Sequence, residues 1–306
     1  MTTTKNFRTT TPLRLVRGLV KLFSIKNSAA MKGKVFLIGA GPGDPELLTV
    51  KAFRILQTAD VVLSDRLVSP EILSDYVSPK AEIVYVGKQC RRGASTPQTT
   101  INELMVIYAR EGKVVVRLKG GDVSVFSNVL DELETLVQHN IPYEIVPGVT
   151  AALGAAAYSG IPLTARDHAT AVRFLTAYKS DVVTEDYWKE LAKTDDTLVF
   201  YMSSETLSHV VKKLVVNGIK KEKELAVIEQ ATTPFQKVYT CSLYDYEEQL
   251  SERQFLSPTL VIIGKVVSLH RQFAWLKKEE TKHTEEYFTS LYEVPSAKKE
   301  FLGLTA

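Results

Sequence analysis

The 306-residue sequence contains little cysteine and no long apolar run. Its two cysteines, Cys90 and Cys241, stand apart from any CxxC pair or histidine cluster. This spacing argues against a disulfide framework and a structural zinc site, and it favours a reducing compartment. The five histidines are scattered along the chain, so we expect no metal site. No apolar run reaches the roughly 18 residues needed to span a bilayer, so the sequence predicts a cytoplasmic protein with no membrane partner.

The sequence also lacks a large excess of either charge, with 38 Lys and Arg residues against 35 Asp and Glu residues. The small excess of +3 comes from residues 1–30, which contain six Lys and Arg residues and no acidic residue. Residues 31–306 therefore carry a net charge of −3. A body of that sign offers no general attraction to a polyanion, so we expect no nucleic-acid partner.

Residues 1–30 are polar and rich in threonine, and within them residues 13–25 form a short basic amphipathic stretch. The favoured interpretation is an unstructured extension, with the folded unit beginning at Met31. A transit peptide or a helix on a membrane surface is the alternative, because the segment contains arginine and no acid.

After Met31 the chain alternates short apolar runs with segments that have the spacing of one helix face. The runs predict five strands, at residues 34–39, 61–64, 82–86, 114–118 and 143–146. Helices are predicted at residues 45–59, 99–111 and 128–139, with Asp44 capping the first and Asn128 or Ser127 capping the third. Such alternation predicts a mostly parallel sheet with helices on both faces.

A second alternation begins after residue 150 with an alanine-rich helical segment at 150–158. Strands are predicted at residues 171–176, 197–201, 226–229, 236–240 and 259–263, and helices at 185–192 and 206–217. We therefore expect an N-terminal α/β domain over residues 31–150 and a second α/β domain over residues 151–270. Residues 271–306 are expected to form a charged tail.

Five unusual segments follow the five predicted strands of the first domain. They are GAGPGD at 39–44, SDR at 64–66, GK at 87–88, KGGD at 119–122 and PGVTA at 147–151. In an open parallel sheet, ligands bind beyond the carboxyl ends of the strands. One such segment would indicate only a turn, whereas five at a single edge predict a pocket.

A dinucleotide site is the first alternative, because Gly39 and Gly41 match the start of GxGxxG. The third glycine position is Asp44, which would place a carboxylate where a pyrophosphate must bind, and Pro42 removes a backbone N–H donor. Asp122 adds a second acid to the same edge. The edge therefore favours a ligand with hydroxyl groups, an adenine-like ring and a positive centre.

The segments VFLIGAGPGDPELLTVKAFRILQTADVVLSDRLVS, VGK, VVVRLKGGD, VPGVTAALGAAAYSGIPLTAR, TLVFYMS and AVIEQATTPFQK identify the chain by resemblance. In order and spacing they resemble the tetrapyrrole (corrin/porphyrin) methylases, over residues 33–276. The resemblance implies two α/β domains, a mixed C-terminal sheet, a cofactor cleft between the domains and a homodimer. It also implies transfer of methyl groups from S-adenosylmethionine to carbon atoms of uroporphyrinogen III, to give precorrin-2 in sirohaem or cobalamin synthesis.

The resemblance also assigns roles to particular residues. It implies an acid/base pair formed by Asp65 and Lys88, and positive side chains for the carboxylates of the tetrapyrrole at Arg91, Arg92, Arg117 and Lys119. The cofactor contacts that it implies are Pro42, Gly120, Gly121, Asp122, Val125, Thr150, Ala151, Met202 and Ala231.

Three positions depart from the family's pattern. Asn128 stands where the family commonly has an arginine, Ser203 stands where it commonly has a glycine, and Thr176-Ala177-Tyr178 replaces TGH. These departures leave open a different acceptor, such as a later corrin precursor, diphthamide or ribosomal RNA. A tetrapyrrole-binding protein without catalytic activity is the remaining alternative.

Overall fold

Short runs of valine, leucine and isoleucine in the first half of the chain form a sheet, because strands covered on both faces need apolar side chains on both sides. The computed structural model describes residues 33–87, 96–177, 184–276 and 286–288. The strands are β1 (Lys34–Gly39), β2 (Val61–Ser64), β3 (Glu82–Tyr85), β4 (Val114–Lys119) and β5 (Tyr143–Val146).

The five strands lie in the order β3-β2-β4-β1-β5, and every neighbouring pair is parallel. The prediction of a mostly parallel N-terminal sheet is thus confirmed. All five strands end at the same edge, and this edge carries the predicted motifs. The connecting helices are α1 (Val50–Leu56), α2 (Gln98–Arg110) and α3 (Leu130–Gln138).

The single helix predicted over residues 45–59 is wrong in its first turn. Pro45–Leu47 forms a separate 3₁₀ turn, in which the Asp44 side chain accepts a hydrogen bond from the Glu46 amide at 2.8 Å. The chain then becomes extended, and α1 begins after Thr49, whose hydroxyl accepts a hydrogen bond from the Ala52 amide at 3.2 Å. Two consecutive caps therefore divide the predicted helix.

The predicted cap of the third helix is also wrong. Asn128 has a φ of 52°, and its amide donates to the carboxylate of Asp131 instead of closing the first turn. Val129 occupies the cap position, and α3 begins at Leu130. Glu132 and Leu136 are the buried residues of this helix.

The second half forms a separate mixed sheet, as the resemblance implies. Its strands are β6 (Val172–Thr176), β7 (Thr197–Tyr201), β8 (Glu224–Glu229), β9 (Lys237–Ser242) and β10 (Thr259–Gly264). They lie in the order β6-β7-β10-β8-β9, with β6 and β7 parallel and the other pairs antiparallel. The accompanying helices are α4 (Ala151–Ser159), α5 (Glu185–Lys193), α6 (Leu207–Val216), α7 (Tyr246–Gln249) and α8 (His270–Phe273).

Each sheet has an apolar core on both faces. In the first sheet, Leu37 packs on one side and Ile38 on the other, as the alternation of a strand requires. In the second sheet, Trp188 and Phe200 belong to the cluster on one face, and α4 contributes Ala152 and Ala155 to the cluster on the other.

The predicted domain boundary at residue 150 falls in the connection between β5 and α4. The described residues all belong to a single compact unit that begins at Lys32, and the division into two domains stays a prediction. None of the helices within the described ranges has the length and apolar composition that a membrane crossing needs.

Candidate functional site

Two glycine-rich loops meet at the carboxyl edge of the first sheet. The loop after β1 and the loop after β4 pair through Gly41 and Gly121, whose amides donate to each other's carbonyl oxygens at 3.1 and 2.7 Å. Gly41 has a φ of 84° and Gly121 a φ of 69°, in the left-handed region that favours glycine. Parallel strands β1 and β4 are neighbours, so their loops are brought together by the strand order itself.

The loop after β5 joins these two through Asp122. One carboxylate oxygen of Asp122 accepts a hydrogen bond from the Gly148 amide at 2.9 Å, and the other accepts one from the Ser124 amide at 2.8 Å. Burial alone would raise the pKa of Asp122, but the Ser124 hydroxyl, which donates to Oδ1 at 2.6 Å, and these amides together lower it below its ordinary value. Asp122 is therefore a buried, ionised tie between two loops of the predicted cofactor site.

The first loop is also held by residues of the second half. The Asp44 amide donates to the Thr232 hydroxyl at 3.0 Å, and the Tyr158 hydroxyl donates to the Asp44 carboxylate. Burial and the nearby Asp44 raise the pKa of Tyr158 to about 12, so its hydroxyl stays protonated. Pro42 packs against Gly154 of α4, where an added Cβ would lie 2.6 Å from the proline ring.

The end of β7 forms the facing side of the site. The Tyr201 hydroxyl lies 2.7 Å from the hydroxyl of Thr150 and accepts a hydrogen bond from the Ala152 amide at 3.1 Å. The Phe126 ring packs 4.9 Å from the Tyr201 ring. Met202, next in the chain, has a φ of 52° and is 53% exposed, so its thioether is not a core filler.

The structure brings most of the predicted cofactor residues together. Val125 and Ala151 pack against the apolar cluster that contains Ala231. An added Cβ at Gly121 would meet only the Ala151 amide nitrogen, at 3.8 Å, so the backbone is open there. Gly120 differs, because an added Cβ would lie 2.8 Å from Leu67, and this glycine allows close packing of two loops.

Asp65, the predicted catalytic carboxylate, lies at the end of β2 and is paired with Arg117 of β4. The distance from Arg117 Nη2 to Asp65 Oδ1 is 2.6 Å, and the Asp65 side chain is 29% exposed. Asp65 therefore lies at the rim of the candidate site, and the buried Arg117 of β4 holds its carboxylate in place.

Arg117 and Lys119 do not reach into the cleft as the prediction of substrate binding requires. Their side chains are only 3% and 4% exposed, and both bind the fully buried carboxylate of Glu132, at 2.9 and 2.8 Å. The prediction that these two residues bind substrate carboxylates is therefore corrected, because their charges are enclosed and already paired within the protein.

The pKa values of the two buried cations are shifted in opposite directions. Burial alone would lower the pKa of Arg117, but the carboxylates of Asp65 and Glu132 raise it above its ordinary value. Burial and the repulsion from Arg117 lower the pKa of Lys119, despite its pairing with Glu132. The difference arises because Arg117 binds two carboxylates, whereas Lys119 binds only that of Glu132 and lies beside the Arg117 cation.

Three predicted site residues, Lys88, Arg91 and Arg92, lie outside the described residues.

Two positions that depart from the family's pattern have partners within the protein. Asn128 is exposed, and its side-chain amide donates to the Asp131 carboxylate. Ser203 is buried, where its hydroxyl donates to the Tyr201 carbonyl at 2.8 Å and accepts from the Ala177 amide at 3.3 Å. This departure from the family's glycine thus links the ends of β6 and β7. Within the described ranges, no group of three or more His, Cys, Asp or Glu side chains converges as a metal site would.

Three residues of the site do not stand out in the sequence. Thr232 holds the first loop, and the Tyr201 hydroxyl joins β7 to α4. Glu132 is the third, and it carries a signal that could have revealed it. It precedes Leu136 by four residues, so it shares the apolar face of α3, and a carboxylate on such a face needs a buried partner.

Taken together, an acid at a strand end, open backbone at Gly121 and the exposed thioether of Met202 mark a candidate ligand site at the carboxyl edge of the first sheet in a two-sheet α/β protein. Comparison with known proteins then gives the family. The family model of the tetrapyrrole (corrin/porphyrin) methylases matches residues 34–247, and the chain belongs to this family.

Known relatives agree with this membership. The chain is 47% identical over 243 residues to siroheme synthase of Nitrosomonas europaea, covering 79% of this chain and 51% of the relative. It is 48% identical to siroheme synthase of Acinetobacter baylyi, covering 83% and 55%. The chain thus spans about half the length of the curated relatives it matches.

Solved structures cover the fold more completely. A uroporphyrin-III-C-methyltransferase from Thermus thermophilus is similar with a TM-score of 0.66 and 36% identity, over 82% of this chain and 99% of that one. The same enzyme complexed with S-adenyl homocysteine has a TM-score of 0.65 and 37% identity, over 78% and 100%. A cobalt precorrin-4 methyltransferase has a TM-score of 0.68 and 30% identity, over 76% and 95%.

Proposed function

We propose that the chain methylates uroporphyrinogen III at two ring carbons, with S-adenosylmethionine as the methyl donor, and produces precorrin-2 by way of precorrin-1. Family membership and the likeness to uroporphyrin-III-C-methyltransferase over nearly the whole of that enzyme support this proposal. The structural observation that carries it is the partly exposed Asp65 carboxylate, anchored by Arg117 beside the glycine-rich loops.

The residues present fit an adenosyl ligand with a positive sulfur. Gly121 leaves its backbone open, and Met202 supplies an exposed, polarisable apolar surface. The Thr150 hydroxyl is buried and paired with the Tyr201 hydroxyl at 2.7 Å, so Thr150 borders the site without a free hydroxyl group. Asp122 contributes negative charge at the same place, although both of its oxygens already bind protein amides. When bound, S-adenosylmethionine supplies an electrophilic methyl group.

In this proposal, the protein accelerates the transfer mainly by holding the two reactants in line. A bond forms between the methyl carbon and a ring carbon of the tetrapyrrole, while the carbon–sulfur bond of the sulfonium breaks and S-adenosylhomocysteine leaves. The methylated ring system must then lose a proton. Asp65 is the proposed acceptor of that proton. Lys88 is the proposed donor of a proton to another position of the ring system.

The substrate carries several carboxylates, which require cations at the rim. Arg91 and Arg92 stay the proposed partners of these carboxylates, whereas Arg117 and Lys119 are withdrawn from that role. A homodimer and a cytoplasmic location belong to the same proposal, and light scattering after gel filtration measures the first.

Incubation of the purified chain with uroporphyrinogen III and S-adenosylmethionine tests the proposal. We expect mass spectrometry to detect a product that carries two added methyl groups. One molecule of S-adenosylhomocysteine should form for each methyl group transferred. S-adenosylmethionine binding measured by calorimetry without any methylated product would refute the activity and favour a binding protein without catalytic function.

Methylation of a later corrin precursor is a second candidate. It is favoured by Asn128 in place of the family's arginine and by the likeness to the cobalt precorrin-4 methyltransferase. Parallel reactions with uroporphyrinogen III and precorrin-4 as acceptors separate the two. A higher kcat/KM for precorrin-4 would replace the first proposal with the second.

A further inference from the structure

Glu132 is a fully buried carboxylate on an otherwise apolar face of α3. Its two oxygens bind different cations of β4, with Arg117 Nε at 2.9 Å from Oε1 and Lys119 Nζ at 2.8 Å from Oε2. A buried, ionised carboxylate is costly unless it is fully paired. Glu132 meets this condition, because each of its oxygens binds one cation.

Arg117 is held in place on more than one side. Its Nη1 donates to the carbonyl oxygens of Leu63 and Leu118 at 3.2 and 3.3 Å, and its Nε is fixed by Glu132. Nη2 is then left to bind Asp65 Oδ1, at 2.6 Å. Because the guanidinium group is planar and rigid, fixing two of its nitrogens fixes the direction of the third.

The network contains two cations and two carboxylates, so its charges balance. Of the four side chains, only Asp65 has a substantial exposed fraction, 29%, against 0% to 4% for the others. If Glu132 lost its charge, Arg117 and Lys119 would together face a single carboxylate. That surplus of positive charge would increase the electrostatic stabilisation of the Asp65 carboxylate. A carboxylate that is stabilised in this way accepts a proton less readily.

We propose that Glu132 is a positioning residue that acts through Arg117 to orient the Asp65 carboxylate and, by balancing Lys119, keeps that carboxylate available as a proton acceptor. The proposal rests on the proposed function, in which Asp65 receives the proton released after methyl transfer. It assigns to the buried cations Arg117 and Lys119 a role inside the protein.

The test compares E132Q with the double variant E132Q/K119M. E132Q removes one negative charge, and we expect kcat to fall at least tenfold while KM for uroporphyrinogen III and Kd for S-adenosylmethionine stay within twofold of the wild type. K119M then removes one cation and restores the balance, so the double variant should recover kcat to within threefold of the wild type. E134Q, an exposed change on the same helix, is the matched control and should keep wild-type kinetics.

The outcomes separate the two proposals. A wild-type chain that produces no methylated tetrapyrrole refutes the function, and the role of Glu132 falls with it. An active wild type with an unchanged kcat in E132Q refutes only the positioning role, as does a double variant no faster than E132Q. If E132Q alone fails to fold, the double variant decides, because it buries no unbalanced charge, and a kcat more than tenfold below wild type overturns the proposal.

Discussion

The two carboxylates of the candidate site, Asp122 and Asp65, have different surroundings, and we expect them to have different roles. Asp122 has one oxygen bound by the Ser124 amide of its own loop and the other by the Gly148 amide of the loop after β5. Asp65 has one oxygen bound to Arg117 and a side chain that is partly exposed. We therefore expect Asp122 to stabilise the loops and Asp65 to serve the chemistry.

The D65N variant tests the role of Asp65. An amide cannot accept the proton that a carboxylate accepts, so kcat should fall by about a hundredfold or more. Calorimetry should show an unchanged affinity for S-adenosylmethionine, because Asp65 is expected to act only on the tetrapyrrole. D75N, at an exposed carboxylate, is the control. Loss of cofactor binding in D65N would make Asp65 a binding residue instead.

The D122N variant tests the buried tie. The folded state lowers the pKa of Asp122, so its stabilising effect is complete above its unfolded-state pKa, about 4, and is lost as the pH falls through the lower folded-state pKa. Urea unfolding at pH 7 should show D122N less stable by about 1.5 to 3 kcal/mol, and this difference should shrink below pH 4. The exposed D186N should show no such pattern. A difference independent of pH would contradict the ionic role.

The sequence predicts these acids but not their partners. Asp65 and Asp122 follow strands in recognisable motifs, so their position at one edge is predictable from strand order in a parallel sheet. The pairing of Arg117 and Lys119 with Glu132 is not, because it depends on how α3 packs over β4. A basic residue near a predicted substrate site looks the same in sequence whether it faces the cleft or the core.

Among the elements, α4 places a glycine where helix propensity disfavours it. Gly154 is buried in the middle of the helix, and an added Cβ would lie 2.6 Å from Pro42 Cγ and 2.9 Å from Thr232 Cγ2. Both of these contacts belong to the loops that surround the predicted cofactor site. Gly154 therefore lowers the intrinsic stability of the helix, but the absence of a Cβ allows those loops to approach it closely.

The G154A variant tests this close approach. Alanine should add up to about 1 kcal/mol of helix stability in the absence of contacts, but here its methyl group must displace the rigid proline ring. We expect Kd for S-adenosylmethionine to rise at least fivefold in calorimetry. A157G makes the reverse change on the exposed face of the same helix, and it should weaken stability while leaving Kd unchanged. A tighter cofactor complex in G154A would show that the loops do not depend on this contact.

Strands are more predictable than helix boundaries in this chain. Three of the five strands of the first sheet begin and end at the predicted residues, because turn residues bound each short apolar run. The predicted helix over residues 45–59 is broken at Thr49, and Asn128 does not cap α3. Caps depend on backbone angles at one residue, and a pattern of apolar positions does not determine those angles.

At the scale of the whole molecule, a short segment near the C-terminus connects the two halves. The Tyr287 hydroxyl lies 2.5 Å from a carboxylate oxygen of Glu71 and 2.8 Å from the Ser69 hydroxyl, and both residues follow β2. The Tyr287 amide donates to the side chain of Gln230, which follows β8, at 2.6 Å. Phe288 is buried beside it. The segment expected to be a charged tail thus contributes packing and hydrogen bonds to the folded body.

The Y287F variant tests this connection. Burial and the Glu71 carboxylate raise the pKa of the Tyr287 hydroxyl, which therefore remains a hydrogen-bond donor at neutral pH. Loss of the hydroxyl should cost about 1 to 3 kcal/mol, because the acceptor is charged, and should lower Tm by several degrees in scanning calorimetry. Y143F, at an exposed tyrosine of β5, should leave Tm unchanged. Equal Tm values for both variants would indicate that the segment does not bind the body in solution.

The strand order also affects how the chain folds. The strands β1 and β2 are not neighbours, because β4 lies between them and pairs with both. About fifty residues separate β2 from β4 in the chain, so neither of the first two central strands finds that partner until residue 119 has been synthesised. Pairing over such separations makes folding slow. The strand that carries Arg117 and Lys119 thus joins β1 to β2, and a nascent chain that ends before it has neither of these strand pairs.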